Sequence, residues 1–101
     1  MIFDLLTKKK EHFGILKIHA KHRLRECHRT SITWTDVPHA LCLAITAKYF
    51  RQALANKNIS GIIAPPNAII DENEYPKAVI VCERPSELFH YLHNQKIPVK
   101  M

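Results

Sequence analysis

From residue 40 onward the apolar positions come in blocks. Ala40-Leu41-Cys42-Leu43-Ala44-Ile45, Ile59-Ser60-Gly61-Ile62-Ile63-Ala64 and Ala78-Val79-Ile80-Val81-Cys82 are nearly continuous apolar runs of strand length. Runs without a polar face predict strands covered on both sides, as in sheets with parallel members. Between and after them the period changes. Lys48–Ala55 places Phe50, Ala53 and Leu54 on one helical face. Pro85 suits the first turn of a second helix, with Glu87 near its positive end and Leu88, Phe89 and Leu92 on its apolar side. Asn56-Lys57-Asn58 reads as a turn, Pro65-Pro66 ends the second strand, and Asp71–Glu74 reads as an acidic surface loop.

The first third is less regular. Residues 2–12 read as a short amphipathic helix stopped by Gly14, and Ile15, Leu16 and Ile18 as a short strand. Lys21–Arg29 is too charged for a core element and is expected to run over the surface. Ser31-Ile32-Thr33-Trp34-Thr35 alternates and is β-branched or aromatic, which predicts a half-exposed strand, punctuated by Asp36 and Pro38. The prediction is a single α/β domain with a small mixed or parallel sheet flanked by helices. Residues 1–35 form a basic N-terminal part, 36–95 the strand–helix part, and 96–101 a tail or linker. Ligands in such sheets bind beyond the carboxyl ends of the strands. That rule points to Thr46, Ala47, Tyr49, Pro65 and Arg84.

Charge sharpens the picture. The chain has 101 residues and a formal charge of +6. Residues 1–35 hold eight basic and three acidic side chains, so they carry +5, and the remainder carries +1. Four of the seven histidines also lie in the first third. Such a segment attracts anions or simply forms a solvated basic face. Basic residues 8–29 lack interleaved aromatics beyond Phe13 and show no zinc-finger or RNA-recognition pattern, so nucleic acid is not the expected partner. No apolar run nears the roughly 20 residues that cross a bilayer, and no secretory signal is recognisable. Three cysteines at wide spacing do not make a disulfide framework. A reducing compartment, the cytoplasm, is the simpler expectation.

Candidate chemistry is sparse. Two glycines exclude a glycine-rich phosphate loop. His19, His22, Cys27 and His28, or His90 and His93, lack the spacing that enforces a zinc site, so neither a metal nor a cofactor is implied. Cys42 and Cys82 read as buried thiols. Cys27, between Arg25 and His28, is the one thiol whose neighbours suggest a lowered pKa, yet nothing builds a catalytic set around it. Trp34 and Tyr49 are the aromatics best suited to a ligand, Tyr49 more so because it opens a helix just after a buried strand.

Residues 40–95 carry a resemblance. An apolar strand is followed by Thr46-Ala47-Lys48-Tyr49. Then come Ile59-Ser60-Gly61-Ile62-Ile63, Lys77-Ala78-Val79-Ile80-Val81 and Arg84-Pro85. This series resembles the N-terminal domain of UDP-3-O-acylglucosamine N-acyltransferases, the LpxD-type enzymes of lipid A synthesis, which is itself similar to the N-terminal domain of Mur ligases. There the corresponding stretches run Asn-Pro-Lys-Tyr, a type of Ala-Ser-Ala-Val-Val, and Asn-Pro opening the last helix. The resemblance implies a UDP-sugar recognition domain with the uracil near Tyr49, a polar contact at Thr46, and Leu43 and Arg84 at the same rim. It also implies an acyltransferase β-helix domain as partner, in cis or in trans, because acyl transfer in that family belongs to hexapeptide repeats. This chain has none and is not expected to catalyse by itself. It reads as an accessory domain, either part of a longer enzyme or encoded alone. Thr46 stands where the family has asparagine, and Leu43 where it has an aromatic ring. A second expectation therefore stands beside the first: an interaction module that keeps the fold, has lost nucleotide binding, and meets a protein or anionic surface through its basic face. A homo-oligomer is compatible with either.

Overall fold

The computed structural model describes residues 10–27, 29–68 and 77–94. The elements are α1 (Lys10–Phe13), β1 (Ile15–His19), a 3-10 helix (Lys21–Glu26), β2 (Arg29–Ser31), β3 (Ala40–Leu43), α2 (Ala47–Ala55), β4 (Ile59–Ala64), a 3-10 turn (Pro66–Ala68), β5 (Ala78–Cys82) and α3 (Pro85–Asn94). The predicted helix 2–12 is seen only from Lys10, and the rest of it, the acidic loop 71–74 and the tail 96–101 lie outside the described residues.

The five strands form one mixed sheet in the order β1-β5-β4-β3-β2. β2, β3, β4 and β5 are parallel, and β1 runs antiparallel along β5. The α/β class with a mixed sheet and flanking helices is therefore as expected. Side chains alternate across the sheet. Leu41, Ile63, Ala78, Ile80 and Cys82 face a layer that contains Phe13, Leu24, Cys27, Leu88 and Leu92. Ala40, Cys42, Ile62, Ala64, Val79 and Val81 face Phe50 and Ala53 of α2 and Ala68. Three layers result, with β3, β4 and β5 enclosed on both faces, which is why those strands read as uninterrupted apolar runs.

Two expectations change. Lys21–Arg29 is not simply a surface run. Its first part coils into a 3-10 helix that turns Leu24 inward, and Cys27 follows it into the core beside β4. The helix keeps Arg23 and Glu26 outside as an exposed pair at 3.6 Å. Ser31–Thr35 is not one strand either. Pairing stops at Ser31, and Thr35 N–H closes a turn on Ile32 O at 3.1 Å. Thr33 and Thr35 are buried while Ile32 and Trp34 point out. Alternation in the sequence is real, but it belongs to a turn whose hydroxyls are satisfied inside.

The carboxyl end of α2 is fastened unusually. Lys77, almost fully buried, donates from Nζ to Ala53 O at 2.9 Å and also to Asn56 O. A cation thus meets carbonyls at the negative end of the helix, where Ala53 O also accepts from Asn56 N–H at 3.2 Å and Asn56 O from Ile59 N–H at 3.1 Å. Its burial lowers the amine pKa from its ordinary value.

Candidate functional site

A groove of about 270 Å³ opens where β2 and β3 end, lined by Ser31, Ile32, Thr33, Trp34, Leu43, Ile45, Tyr49 and Phe89. Among the described residues the exposed large hydrophobics are Leu16, Ile32, Trp34, Ile45 and Tyr49. All but Leu16 border this groove. Trp34 is 63 % exposed and Tyr49 40 %. Isolated exposed apolar residues are ordinary, but a contiguous set marks a binding surface.

Each wall has a local cause. β3 ends at Leu43, whose side chain is half-buried at the base of the groove. Ala44 turns to the opposite face, Ile45 stays out, and Thr46 takes an extended conformation and caps α2, its Oγ1 accepting from Tyr49 N–H at 3.3 Å. In α2, Phe50 and Ala53 point into the core, which leaves Tyr49 in the first turn facing outward. Lys48 Nζ lies 6.0 Å from the centroid of the Tyr49 ring, at the outer limit of a cation–π contact.

The opposite wall is the turn after β2. Thr33 Oγ1 donates to Gln52 Oε1 at 2.5 Å. Asn56 Nδ2 donates to Thr33 O at 3.2 Å and Thr35 O at 2.9 Å, and Asn58 Nδ2 reaches Thr35 O at 3.4 Å. Trp34 is therefore held out from a turn bolted at both shoulders to α2 and its carboxyl cap. Phe89, on α3, closes the floor, with its ring stacked on His93.

The residues named from sequence divide. Tyr49 and Leu43 line the groove, and Thr46 adjoins it as the helix cap. Arg84 is not among the lining residues. It follows β5, which β4 separates from β3, and its guanidinium donates to His12 O from Nε at 3.1 Å and Nη2 at 2.5 Å. Pro65 is likewise not a lining residue. The 3-10 helix departs from β1 after His19, which pairs with Val79 near the start of β5. The described part of the basic segment thus lies toward the amino ends of the parallel strands, at the other end of the sheet from the groove. Ile32, Ile45 and the groove side of Phe89 were not singled out from sequence. Ile45, at the end of its apolar run, carried the one available signal: it sits just where burial stops.

The thiols are inert in character. Cys27, Cys42 and Cys82 are free and buried. Burial, with Glu26 adding to it, pushes the Cys27 pKa up to about 12, the reverse of the lowering its sequence neighbours suggested. Burial likewise raises Cys42 to about 12. No cluster of three or more metal-ligating side chains occurs among the described residues, and no helix there is long and apolar enough to cross a membrane. His28 lies outside the described residues.

No family model, curated protein or solved structure matches this chain.

Proposed function

We propose that the chain is a non-catalytic recognition domain whose groove takes the uracil ring of a UDP-sugar between Trp34 and Tyr49. The observation that supports this reading is the convergence of four exposed apolar side chains, two of them aromatic, on one hollow at the carboxyl ends of parallel strands. That is where ligands of open α/β sheets bind, and flat rings favour stacking against aromatic faces. The resemblance to the N-terminal domain of UDP-3-O-acylglucosamine N-acyltransferases leads to the same ligand. In this reading Trp34, from the turn after β2, supplies the second ring that Leu43 cannot. Any acyl transfer would belong to a β-helix partner domain, in cis or in trans, and a cytoplasmic setting suits three reduced thiols.

Calorimetry with UDP-N-acetylglucosamine tests it. Wild type should release heat on binding. Tyr49→Ala and Trp34→Ala should each weaken binding by about 1–3 kcal/mol, the scale of base–aromatic stacking. Equal heats for all three proteins would remove both rings from the site.

The aliphatic share of the lining, Ile32, Leu43 and Ile45, favours a second reading. An interaction module would use the same hollow to seat an apolar side chain of a partner protein. Absence of any uridine binding, together with capture of a partner that Trp34→Ala abolishes, would select it.

A further inference from the structure

A second hollow opens from the first. It measures about 320 Å³ and is lined by Thr30, Ser31, Ile32, Phe89, His90 and His93. Ser31, Ile32 and Phe89 border both hollows. Together they make one trough alongside β2, the edge strand of the sheet. Its chemistry changes along its length. The end near Tyr49 is aromatic and aliphatic. The far end carries two imidazoles and a threonine hydroxyl, and the exposed Arg29 begins the strand beside it.

The far end is also ordered by specific contacts. His93 Nδ1 lies 2.7 Å from Thr30 Oγ1. The His93 ring stacks on Phe89 with centroids 6.4 Å apart and 10° between planes. An imidazole fixed through Nδ1 leaves Nε2 for another partner. When the threonine hydroxyl donates to Nδ1, the ring proton sits on Nε2; a protonated ring donates from both nitrogens. In both of these states Nε2 offers an N–H to an acceptor, and an anion at Nε2 selects them over the tautomer in which Nδ1–H donates to Thr30 Oγ1. His90, three residues earlier, falls on the same face of α3. Two imidazoles at the end of a shallow trough, one of them set by a threonine hydroxyl, suit the oxygens of a phosphate chain better than a second apolar group.

We propose that this far end holds the diphosphate of the nucleotide, with His93 and His90 as its donors. This rests on the uridine reading above and deepens it. It assigns the anion to α3 and the β2 edge, which Arg29 begins, and not to Arg84 or the 3-10 helix 21–26.

Binding of uridine, UDP and inorganic pyrophosphate to the wild-type chain, to His90→Gln and to the His90→Gln/His93→Gln pair separates the possibilities, with Tyr49→Ala as comparison. Thermal melting first confirms that each variant is folded; glutamine keeps a donor and an acceptor for Thr30. UDP should bind wild type at least about tenfold more tightly than uridine, as charge-assisted hydrogen bonds to the phosphates predict. The double variant should lose that preference while its uridine affinity is unchanged, and His90→Gln should lose part of it. Tyr49→Ala should weaken uridine and UDP alike and keep their ratio. A preference for UDP that survives in the double variant overturns the assignment and leaves the base site standing. Binding of UDP and pyrophosphate that needs the histidines, with no binding of uridine, overturns the base site and keeps the anion site. No binding of any of the three overturns both.

Discussion

Gly61 sits where β4 passes beneath Cys27. A β-carbon there would lie 2.6 Å from Cys27 Sγ and 2.8 Å from Leu41 Cδ1. Both neighbours are core side chains with little room to retreat. Gly61→Ala should therefore cost about 1–3 kcal/mol, the range for overpacking a filled interior. Urea unfolding checks this, and pairing the change with Cys27→Ala should recover part of the loss, because the closest clash is removed. The same contact explains why Cys27 misleads in the sequence. Arg25 and His28 stand beside it along the chain, but the 3-10 helix turns the thiol inward, and burial decides its chemistry. Tyr49 was legible for the opposite reason. It follows a buried strand by one short turn, and the inward positions of α2 are already taken by Phe50 and Ala53, so it has nowhere to go but out. Arg84 shares that rim in sequence terms, yet the order of strands puts it two places away from β3, and strand order is not written in any local pattern.

At the scale of elements, the enclosed strands were readable because each is apolar on both faces. β2 was not. Arg29-Thr30-Ser31 has no apolar signal, and it is a strand only because Ala40–Cys42 offers it a parallel partner. The turn that follows owes its shape to α2: Gln52 and Asn56 satisfy Thr33 and Thr35 across about twenty residues of chain. These contacts connect residues whose spacing gives no hint that they meet. Asn56 also accepts from Asn58 N–H at 2.9 Å and so shapes the turn into β4. Asn56→Ala should lower unfolding stability by about 1–3 kcal/mol, since the Thr33 carbonyl and the Asn58 amide lose this partner and the Thr35 carbonyl keeps only Asn58 Nδ2. Hydrogen exchange should show faster exchange at residues 33–35, while β4 and β5 keep their protection. If residues 33–35 stayed equally protected, the hydrogen bonds from α2 would not be what holds the turn.

For the molecule as a whole, the two most perturbed thiols lie on opposite faces of the sheet, Cys27 with the α3 layer and Cys42 with the α2 layer. Each rises from an ordinary value of 9.0 to about 12. In the unfolded chain they ionise near 9; in the fold they stay protonated. The native state therefore binds more protons above pH 9, and stability, full below that value, should fall as pH rises toward 12. Each thiol contributes a slope of about 1.4 kcal/mol per pH unit within that window. Lys77, lowered by burial, works against this below 10.5, where the unfolded amine holds the extra proton. Urea unfolding between pH 8 and 10.5 should show a net decline, and Cys27→Ala should make it shallower. A flat profile would contradict the burial of both thiols. The anchoring of Trp34 carries a last consequence. Its turn is fastened to the same short helix that bears Tyr49, so the two stretches of backbone that carry the rings keep one spacing, like the jaws of a fixed spanner rather than an adjustable one. A guest of the right thickness would slip in without waiting for any hinge, and a bulkier one would be turned away instead of accommodated.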